Sequence, residues 1–177
     1  VMARVLDPGL ALFAGLNAIP KRSWFATYSS RLGRTQLHAL MAAWFDQAQA
    51  AAVPRSGSFH LDFHTVPAHT QREPLETNYR SQHSRAEKSV LVFLARDAAE
   101  RVLCYANGAI PKSQRAAEIR AFAEFYRTRT GSYPRELVFD AQLTTYPHLD
   151  WLNQQGIRFL TLRRRSKGLL SRVYAVP

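Results

Sequence analysis

The 177-residue sequence predicts an α/β protein in which a mixed sheet is flanked by helices and preceded by a small helical segment. Apolar residues in the first 55 positions recur at helical spacing, and at Phe59 the pattern changes to the alternation typical of a strand. From there the elements follow in the order strand, strand, strand, helix, strand, helix, strand. Three successive strands and then a helical crossover indicate a sheet with both antiparallel and parallel pairs.

The helical segment is predicted to cover residues 1–55, and the sheet domain residues 56–177. A first helix would begin at Asp7-Pro8 and end by Pro20, since proline suits the first turn of a helix but not its interior. A second helix would run from Thr35 to Ala50. Its apolar stripe is expected in the core and consists of Leu37, Leu40, Met41, Trp44 and Phe45.

The sheet domain opens with a strand over residues 59–64, followed by a polar loop over 68–87. The continuously apolar run 89–95 is typical of a strand covered on both faces. It would form a hairpin with strand 101–106, in which Cys104 is a buried thiol. With this single cysteine the chain has neither a disulfide framework nor a cysteine zinc site.

The second half of the domain alternates helices and strands. Ser113 is the expected N-cap of a helix that ends at Thr130, before Gly131. The apolar face of this helix would contain Ala117, Ile119, Phe122, Ala123 and Tyr126. The remaining elements are strand 136–140, a helix near 146–155 that Thr144 or Thr145 could cap, and strand 157–162.

Two of these strands end at an aspartate, Asp62 and Asp140. A right-handed crossover would place strand 136–140 parallel to and beside strand 58–64, with both carboxylates at one sheet edge. This arrangement matches the ribonuclease-H-like fold. Two carboxylates close together repel each other unless a cation lies between them, and Mg²⁺ prefers oxygen ligands. Such a pair is a candidate site for metal-dependent phosphodiester cleavage. Alternatively, each aspartate only caps a turn at a strand end.

A second metal hypothesis uses His60, Asp62 and His64, which lie at alternate positions on one face of a strand. Histidine and carboxylate ligands suit Zn²⁺ or Mn²⁺, and His69 or His83 could join them. The pattern is a weak signal, and it is better explained if His60 and His64 support the site or face DNA.

The net charge of +11 predicts an acidic polymer as partner, and the absence of a basic amphipathic helix favours nucleic acid over membrane. We find no apolar run long enough to span a membrane and no secretory signal, so the expected location is the cytoplasm. Tyr79 lies among residues that could grip a phosphate backbone. The candidate DNA-binding residues are Arg72, Arg80, Arg85 and Lys88 after Asp62, and Arg163, Arg164 and Arg165 in the basic tail. Both groups could instead be solvated surface.

Several blocks of the sequence resemble the DDE transposases of bacterial insertion sequences. The two most specific are Val138–Tyr146 and Gly156–Arg163. The others are Leu12–Asn17, Ile19–Arg22, Leu61–His64 continuing through Leu75-Glu76 to Tyr79, Phe93–Asp97 and Tyr105–Asn107. The resemblance implies a ribonuclease-H-like catalytic domain, Mg²⁺ or Mn²⁺ as cofactor, DNA ends and target as partners, and a possible homo-oligomer.

By this resemblance Asp62 and Asp140 are the first two catalytic acids. The family also needs a third acid, a glutamate on a later helix, but no glutamate follows Glu136. The chain is therefore expected to be a truncated transposase with little or no cleavage activity of its own. Two alternatives stay open: a catalytically dead DNA-binding remnant, and a metal-dependent hydrolase built on the histidines and Asp62.

Overall fold

The computed structural model describes residue 27 and residues 31–53, 56–68, 75–80, 85–140, 145–162 and 166–175. The predicted first helix, from Asp7 to Pro20, lies outside this part of the chain. The chain divides into two compact units, Val1–Ala43 and Trp44–Pro177. The domain boundary placed after residue 55 remains a prediction.

Helix α1 spans Arg34–Ala50 and confirms the predicted second helix, but it does not bury the predicted stripe. Phe45 is fully buried, whereas Leu37, Leu40 and Trp44 are 45%, 62% and 45% exposed. At about 100° per residue, these three side chains lie roughly 80–140° around the helix from Phe45. The helix therefore buries a narrower face than its apolar pattern suggests, and the prediction of a core stripe is wrong.

Six strands form one mixed sheet in the order β2-β3-β1-β5-β6, with β4 paired to β3 outside this path. Strand β3 pairs antiparallel with β1, β2 and β4, whereas β1 pairs parallel with β5, and β5 with β6. This combination of antiparallel and parallel strands is the ribonuclease-H-like arrangement that the sequence predicts. The strands are β1 Ser58–Pro67, β2 Glu76–Arg80, β3 Arg85–Asp97, β4 Leu103–Asn107, β5 Glu136–Phe139 and β6 Arg158–Thr161.

Strand β2 and the first residues of β3 correct the prediction of a loop over 68–87. The polar segment Glu76–Arg80 lacks apolar alternation, yet it pairs residue by residue with Arg85–Ser89. Lys112 helps to hold it, because its backbone N–H donates to Glu76 Oε2 at 2.9 Å and its ammonium donates to the Thr77 carbonyl. Asn78 is buried and donates to Ser89 Oγ at 3.1 Å. Segment 76–80 is therefore a strand because it pairs with β3, not because its own sequence alternates.

Helix α2 spans Glu118–Thr130 and follows a 3₁₀ turn at Arg115–Ala117. Its N-cap is Ala117, without a side-chain capping hydrogen bond, so the predicted cap at Ser113 is wrong. The 3₁₀ turn intervenes between Ser113 and the helix. The C-terminus agrees with the prediction, since Gly131 adopts φ 81°, a conformation that glycine adopts without strain.

Helix α2 covers one face of the sheet, which we call the closed face and which includes Phe59, Leu61, Phe93, Ala95 and Leu137. All five are buried. The helix contributes Ile119, Phe122, Ala123 and Tyr126 to this core, whereas Ala117 is exposed. Aromatic rings meet edge to face, with centroids 5.1 Å apart between Phe59 and Phe122 and 5.0 Å apart between Phe59 and Tyr126.

The opposite face, which we call the open face, includes His60, Asp62, His64, Leu94, Arg96, Val138 and Leu160. On β3 the alternate residues Val90, Val92 and Leu94 are only half-buried, although Leu91, Phe93 and Ala95 are buried. The prediction that this strand is covered on both faces is therefore wrong for one of them. Cys104 lies on the closed side and is buried as predicted.

The remaining helices are α3, Tyr146–Gln154, and α4, Lys167–Tyr174. Helix α3 was predicted; its N-cap is Thr145, but the Thr145 side chain makes no capping hydrogen bond. Helix α4 was not predicted, although Ser166 gives a start signal: its Oγ accepts a hydrogen bond from Leu169 N at 3.2 Å. Among the described residues, no helix combines the length and apolar character needed to cross a membrane.

Candidate functional site

The candidate site lies where β1 and β5 stop pairing. The two strands run parallel from Ser58 opposite Glu136 to Leu61 opposite Phe139. The next residue is Asp62 on one strand and Asp140 on the other, and both are exposed. Neighbouring strands lie about 4.8 Å apart, so two residues at the same level of a parallel pair are close neighbours.

Local folding explains why Asp62 faces solvent. Strand β1 alternates between buried and exposed positions, so Leu61 faces the core and Asp62 the open face. Asp62 Oδ1 accepts a hydrogen bond from the backbone N–H of Phe63 at 2.8 Å. Its other oxygen, Oδ2, has no hydrogen-bond partner among the described residues. Asp62 thus presents an oxygen available to a cation.

His60 and His64 are exposed on the same face as Asp62, as their alternate positions predict. Within the described residues, however, no group of three or more histidine, cysteine or acidic side chains is placed to hold a metal ion. The hypothesis of a three-ligand site on His60, Asp62 and His64 therefore gains no support. His69 and His83, which could have joined it, lie outside the described residues.

Of the DNA-binding residues predicted after Asp62, the three that the structure describes do not gather around it. Lys88 is exposed on β3, six residues from Leu94, the cross-strand partner of Asp62, which is roughly 20 Å along the strand. Its ammonium donates to the Leu75 carbonyl at 3.1 Å. Arg80 and Arg85 form the last pair of the β2–β3 ladder, further away still. Arg72, Arg163, Arg164 and Arg165 lie outside the described residues.

Arg96 is an open-face residue to which sequence reasoning gave no role. It pairs across β1–β3 with His60, two residues before Asp62. In the sequence it lies in the apolar run that ends at Asp97 and in the resembling block Phe93–Asp97, but neither gave it a role. Its position near Asp62 becomes visible only when the register of the two strands is known.

Asp97, the last residue of β3, is a fully buried carboxylate that sequence reasoning also missed. Oδ2 accepts hydrogen bonds from the Ser56 hydroxyl at 2.6 Å and the Ser56 N–H at 3.3 Å. Oδ1 accepts from the N–H groups of Ala99 at 2.9 Å and Glu100 at 2.8 Å. Burial by itself raises the pKa of Asp97, but these hydrogen bonds bring the pKa below its ordinary value of 3.8. Asp97 therefore clamps the β3–β4 turn to the segment before β1.

Two titratable groups in the electrostatic environment of Asp97 stay neutral. Burial raises the pKa of the Cys104 thiol to about 11, and the negative charge of Asp97 also raises it. Burial and the Asp97 charge also raise the pKa of Tyr126. The Asp97 cluster is thus a structural feature at the start of β1, three residues before the candidate site.

No protein-family model matches the chain, and no curated protein sequence does either. Among solved structures it is similar to the piggyBac transposase synaptic complex with hairpin DNA, with 12% identity and a TM-score of 0.46 over 68% of this chain and 27% of that one. It is also similar to the Mos1 transposase paired-end complex with the left transposon end, with 10% identity and a TM-score of 0.39 over 81% of this chain and 54% of the other.

A third similar structure is the Mos1 mariner paired-end complex with Mn, at 9% identity and a TM-score of 0.38 over 81% of this chain and 49% of that one. The chain therefore spans about a quarter to a half of the length of these transposases. These similarities are low in both identity and superposition, so a functional assignment has to come from the site itself.

Proposed function

We propose that this chain is part of a DDE-type transposase of a bacterial insertion sequence, in which Asp62 and Asp140 are two of the catalytic acids. The observation that carries the proposal is the parallel register of β1 and β5. Their last paired residues, Leu61 and Phe139, are each followed by an exposed aspartate. Strand β1 continues to Pro67, so Asp62 lies within the strand, whereas Asp140 directly follows the last residue of β5. Both acids are therefore at the level where β5 ends, and ligands of α/β sheets bind beyond such strand ends.

The donor set fits a divalent cation. Asp62 and Asp140 are exposed residues, and carboxylate oxygen is the ligand type that Mg²⁺ and Mn²⁺ prefer. Mg²⁺ keeps several waters in such sites. When bound, such ions activate an attacking water or DNA 3′-hydroxyl and stabilise the leaving oxygen of a phosphodiester. The two carboxylates would hold the ions, and β1 and β5 would fix their spacing.

The third acid of the resembling family has no counterpart among the residues after Glu136, which include no glutamate. With two carboxylates the cation is held weakly, and we propose that this chain alone has little or no cleavage activity. The net charge of +11 supports DNA ends and target DNA as the partners. A second copy of the chain is a further proposed partner, and the cytoplasm is the proposed location.

Mn²⁺ binding to the purified chain tests the acid pair without requiring catalysis. We expect one weak site, measured by the paramagnetic signal of free Mn²⁺, whose affinity falls at least about tenfold in both Asp62→Asn and Asp140→Asn. The matched control is Asp150→Asn on α3, an exposed aspartate that accepts a hydrogen bond from Gln154 at 2.8 Å. Unchanged Mn²⁺ affinity in Asp62→Asn, or an equal loss in Asp150→Asn, would refute the assignment.

A catalytically dead DNA-binding module is the second candidate. It is favoured by the lack of a three-ligand metal group among the described residues, together with the high positive charge. This candidate predicts DNA binding that weakens steeply with salt and responds neither to Mg²⁺ nor to Asp62→Asn. Comparing DNA affinity with and without Mg²⁺ separates the two candidates.

A further inference from the structure

Arg96 occupies an unusual place for an exposed cation. It lies on β3, an internal strand, on the open face that also carries Asp62. Its partner across the antiparallel pair is His60, and the partner of Asp62 is Leu94. Arg96 is thus the diagonal neighbour of Asp62, and in antiparallel pairs such neighbours lie about 7–8 Å apart, within reach of long side chains.

The Arg96 side chain has no hydrogen bond or ion pair with any described residue, although Asp62 lies within its reach. Other arginines of the same unit are engaged. Arg127 pairs with Glu124 at 2.9 Å and Arg129 with Asp46 at 2.8 Å, while Arg120 lies over the Trp151 ring at 4.9 Å. On the other side of Arg96 is Leu103 of β4, which offers no charge. The guanidinium is therefore available to an external anion.

We propose that Arg96, with His60 beside it, binds a phosphate of the DNA backbone next to the acid pair and positions the strand there. The inference rests on the proposed function. A guanidinium presents its donors in a planar fork that matches two phosphate oxygens, and the neighbouring imidazole adds one N–H donor. The location suits this task, because a phosphate near Asp62 and Asp140 is repelled by both carboxylates and needs a cation within a few ångströms.

None of the described residues predicted to bind DNA lies near Asp62, and Arg96 supplies a positive charge at that place. Lys88 lies roughly 20 Å from the level of Asp62 along β3 and already donates to a backbone carbonyl. Among the described residues on the open face, Arg96 is the arginine nearest Asp62 by register; Arg158 lies on β6 and pairs with Glu136 at 3.7 Å. A phosphate at the acid pair therefore meets Arg96 before any other guanidinium that the structure describes on this face.

The test measures binding of the whole chain to a fluorescently labelled DNA duplex at several salt concentrations without metal. We expect Arg96→Ala to weaken binding about tenfold and to reduce the slope of log affinity against log salt by about 1. Arg96→Lys should keep the slope but recover only part of the affinity, because an ammonium lacks the planar fork. The matched control is Arg101→Ala, an exposed arginine in the β3–β4 turn.

A double-mutant cycle of Arg96→Ala and Asp62→Asn tells whether Arg96 holds a DNA phosphate next to Asp62 or only attracts DNA through its charge. Asp62→Asn should strengthen metal-free binding about two- to threefold, because it removes a repulsive charge, and this gain should vanish in the Arg96→Ala background. A gain that persists there, or equal losses in Arg96→Ala and Arg101→Ala, overturns the inference. So does a wild-type chain that does not bind the duplex. The acid-pair assignment is judged separately, by the Mn²⁺ affinities of Asp62→Asn and Asp140→Asn in the absence of DNA.

Discussion

The two faces of the sheet are built from the same strands but differ in almost every physical property. On β1, Phe59 and Leu61 point to the closed face and are buried, whereas His60, Asp62 and His64 point to the open face and are exposed. On β3 the same alternation separates Phe93 from Arg96. Strand periodicity thus assigns packing to one face and chemically reactive groups to the other.

This division explains why the open face can carry uncompensated charge. The closed face packs Phe59, Phe93 and Phe122 at zero exposure, with Phe59 and Phe122 meeting edge to face. Such rings each contribute several kcal/mol through burial, on the order of 1.5–3 kcal/mol per side chain. Residues on the open face contribute little to folding, so they are free to serve binding. The comparison predicts that substitutions on the closed face lower the free energy of unfolding, whereas substitutions on the open face leave it nearly unchanged.

The largest expected effect comes from one substitution made on each face. Leu137 of β5 is 0% exposed, and Leu160 of the neighbouring β6 is 67% exposed on the opposite face. Leu137→Ala should lower the free energy of unfolding by about 2–5 kcal/mol, because it removes buried methyl groups and leaves a cavity. Leu160→Ala should change it by less than about 0.5 kcal/mol. Urea unfolding followed by tryptophan fluorescence measures both.

The two leucines are matched in chemistry and lie on adjacent parallel strands, in register with Phe159 and Val138 respectively. A loss of more than about 1.5 kcal/mol in Leu160→Ala would mean that the open face is packed in solution. The distinction between the faces would then fail. Equal slopes of the unfolding free energy against urea in the two variants are the required control for unchanged compactness.

A smaller effect is expected at Asp97, the fully buried acid at the end of β3. Asp97→Asn keeps one acceptor oxygen but places an amide donor opposite the donors of Ser56 or Ala99. The free energy of unfolding should fall by about 2 kcal/mol at pH 7, the typical cost of losing hydrogen bonds to a buried charged group. Ser56→Ala removes the hydroxyl that donates to Asp97 and accepts from the Ser58 N–H at 3.1 Å, but it leaves the backbone N–H donors to Asp97, so it should cost less.

Acid titration sharpens the same prediction. The folded-state pKa of Asp97 lies below the ordinary value of 3.8, so its stabilisation is fully present above that pH. It is lost as the pH falls through 3.8 toward the lower folded-state pKa. Cys104 and Tyr126 do not interfere, because their raised pKa values keep them protonated in acid. The stability difference between wild type and Asp97→Asn should therefore shrink below pH 3.8. A difference that stays constant with pH would contradict the clamp.

Much of the fold follows from the sequence because strand alternation and the crossover rule are local or topological. The run from Phe59 to His64 shows its period directly, and the right-handed crossover predicts that β5 lies parallel to β1. Strand β2 could not be predicted, because Glu76–Arg80 has no apolar face and becomes a strand only by pairing with β3. Likewise, periodicity marks α1 as a helix but does not say which side of it packs.

The residues of the candidate site likewise fall into those that the sequence reveals and those that only the structure reveals. Asp62 and Asp140 could be named in advance, because each stands out as a carboxylate directly after apolar residues. The expectation that both lie at strand ends was wrong for Asp62, because β1 continues to Pro67. Arg96 could not, because its place beside His60 depends on the register of β1 with β3, which no local pattern encodes. Asp97 was also hidden, since its donors come from Ser56, 41 positions earlier, and from its own turn. Contacts set by pairing register therefore require the structure.

The smallest expected effect tests the β3–β4 turn, which belongs to neither face. Arg101 adopts φ 59°, a left-handed conformation that is strained for residues with a Cβ atom. Arg101→Gly should raise the free energy of unfolding by roughly 0.5–1 kcal/mol in thermal or urea unfolding. The control is Glu100→Gly at the preceding residue, where φ is not positive. There glycine relieves no strain and only adds freedom to the unfolded chain, so the free energy of unfolding should fall by roughly 0.5–1 kcal/mol. Because the turn is independent of the open face, Arg101→Gly should leave Mn²⁺ affinity unchanged. Destabilisation by both variants would show that the turn stores no strain.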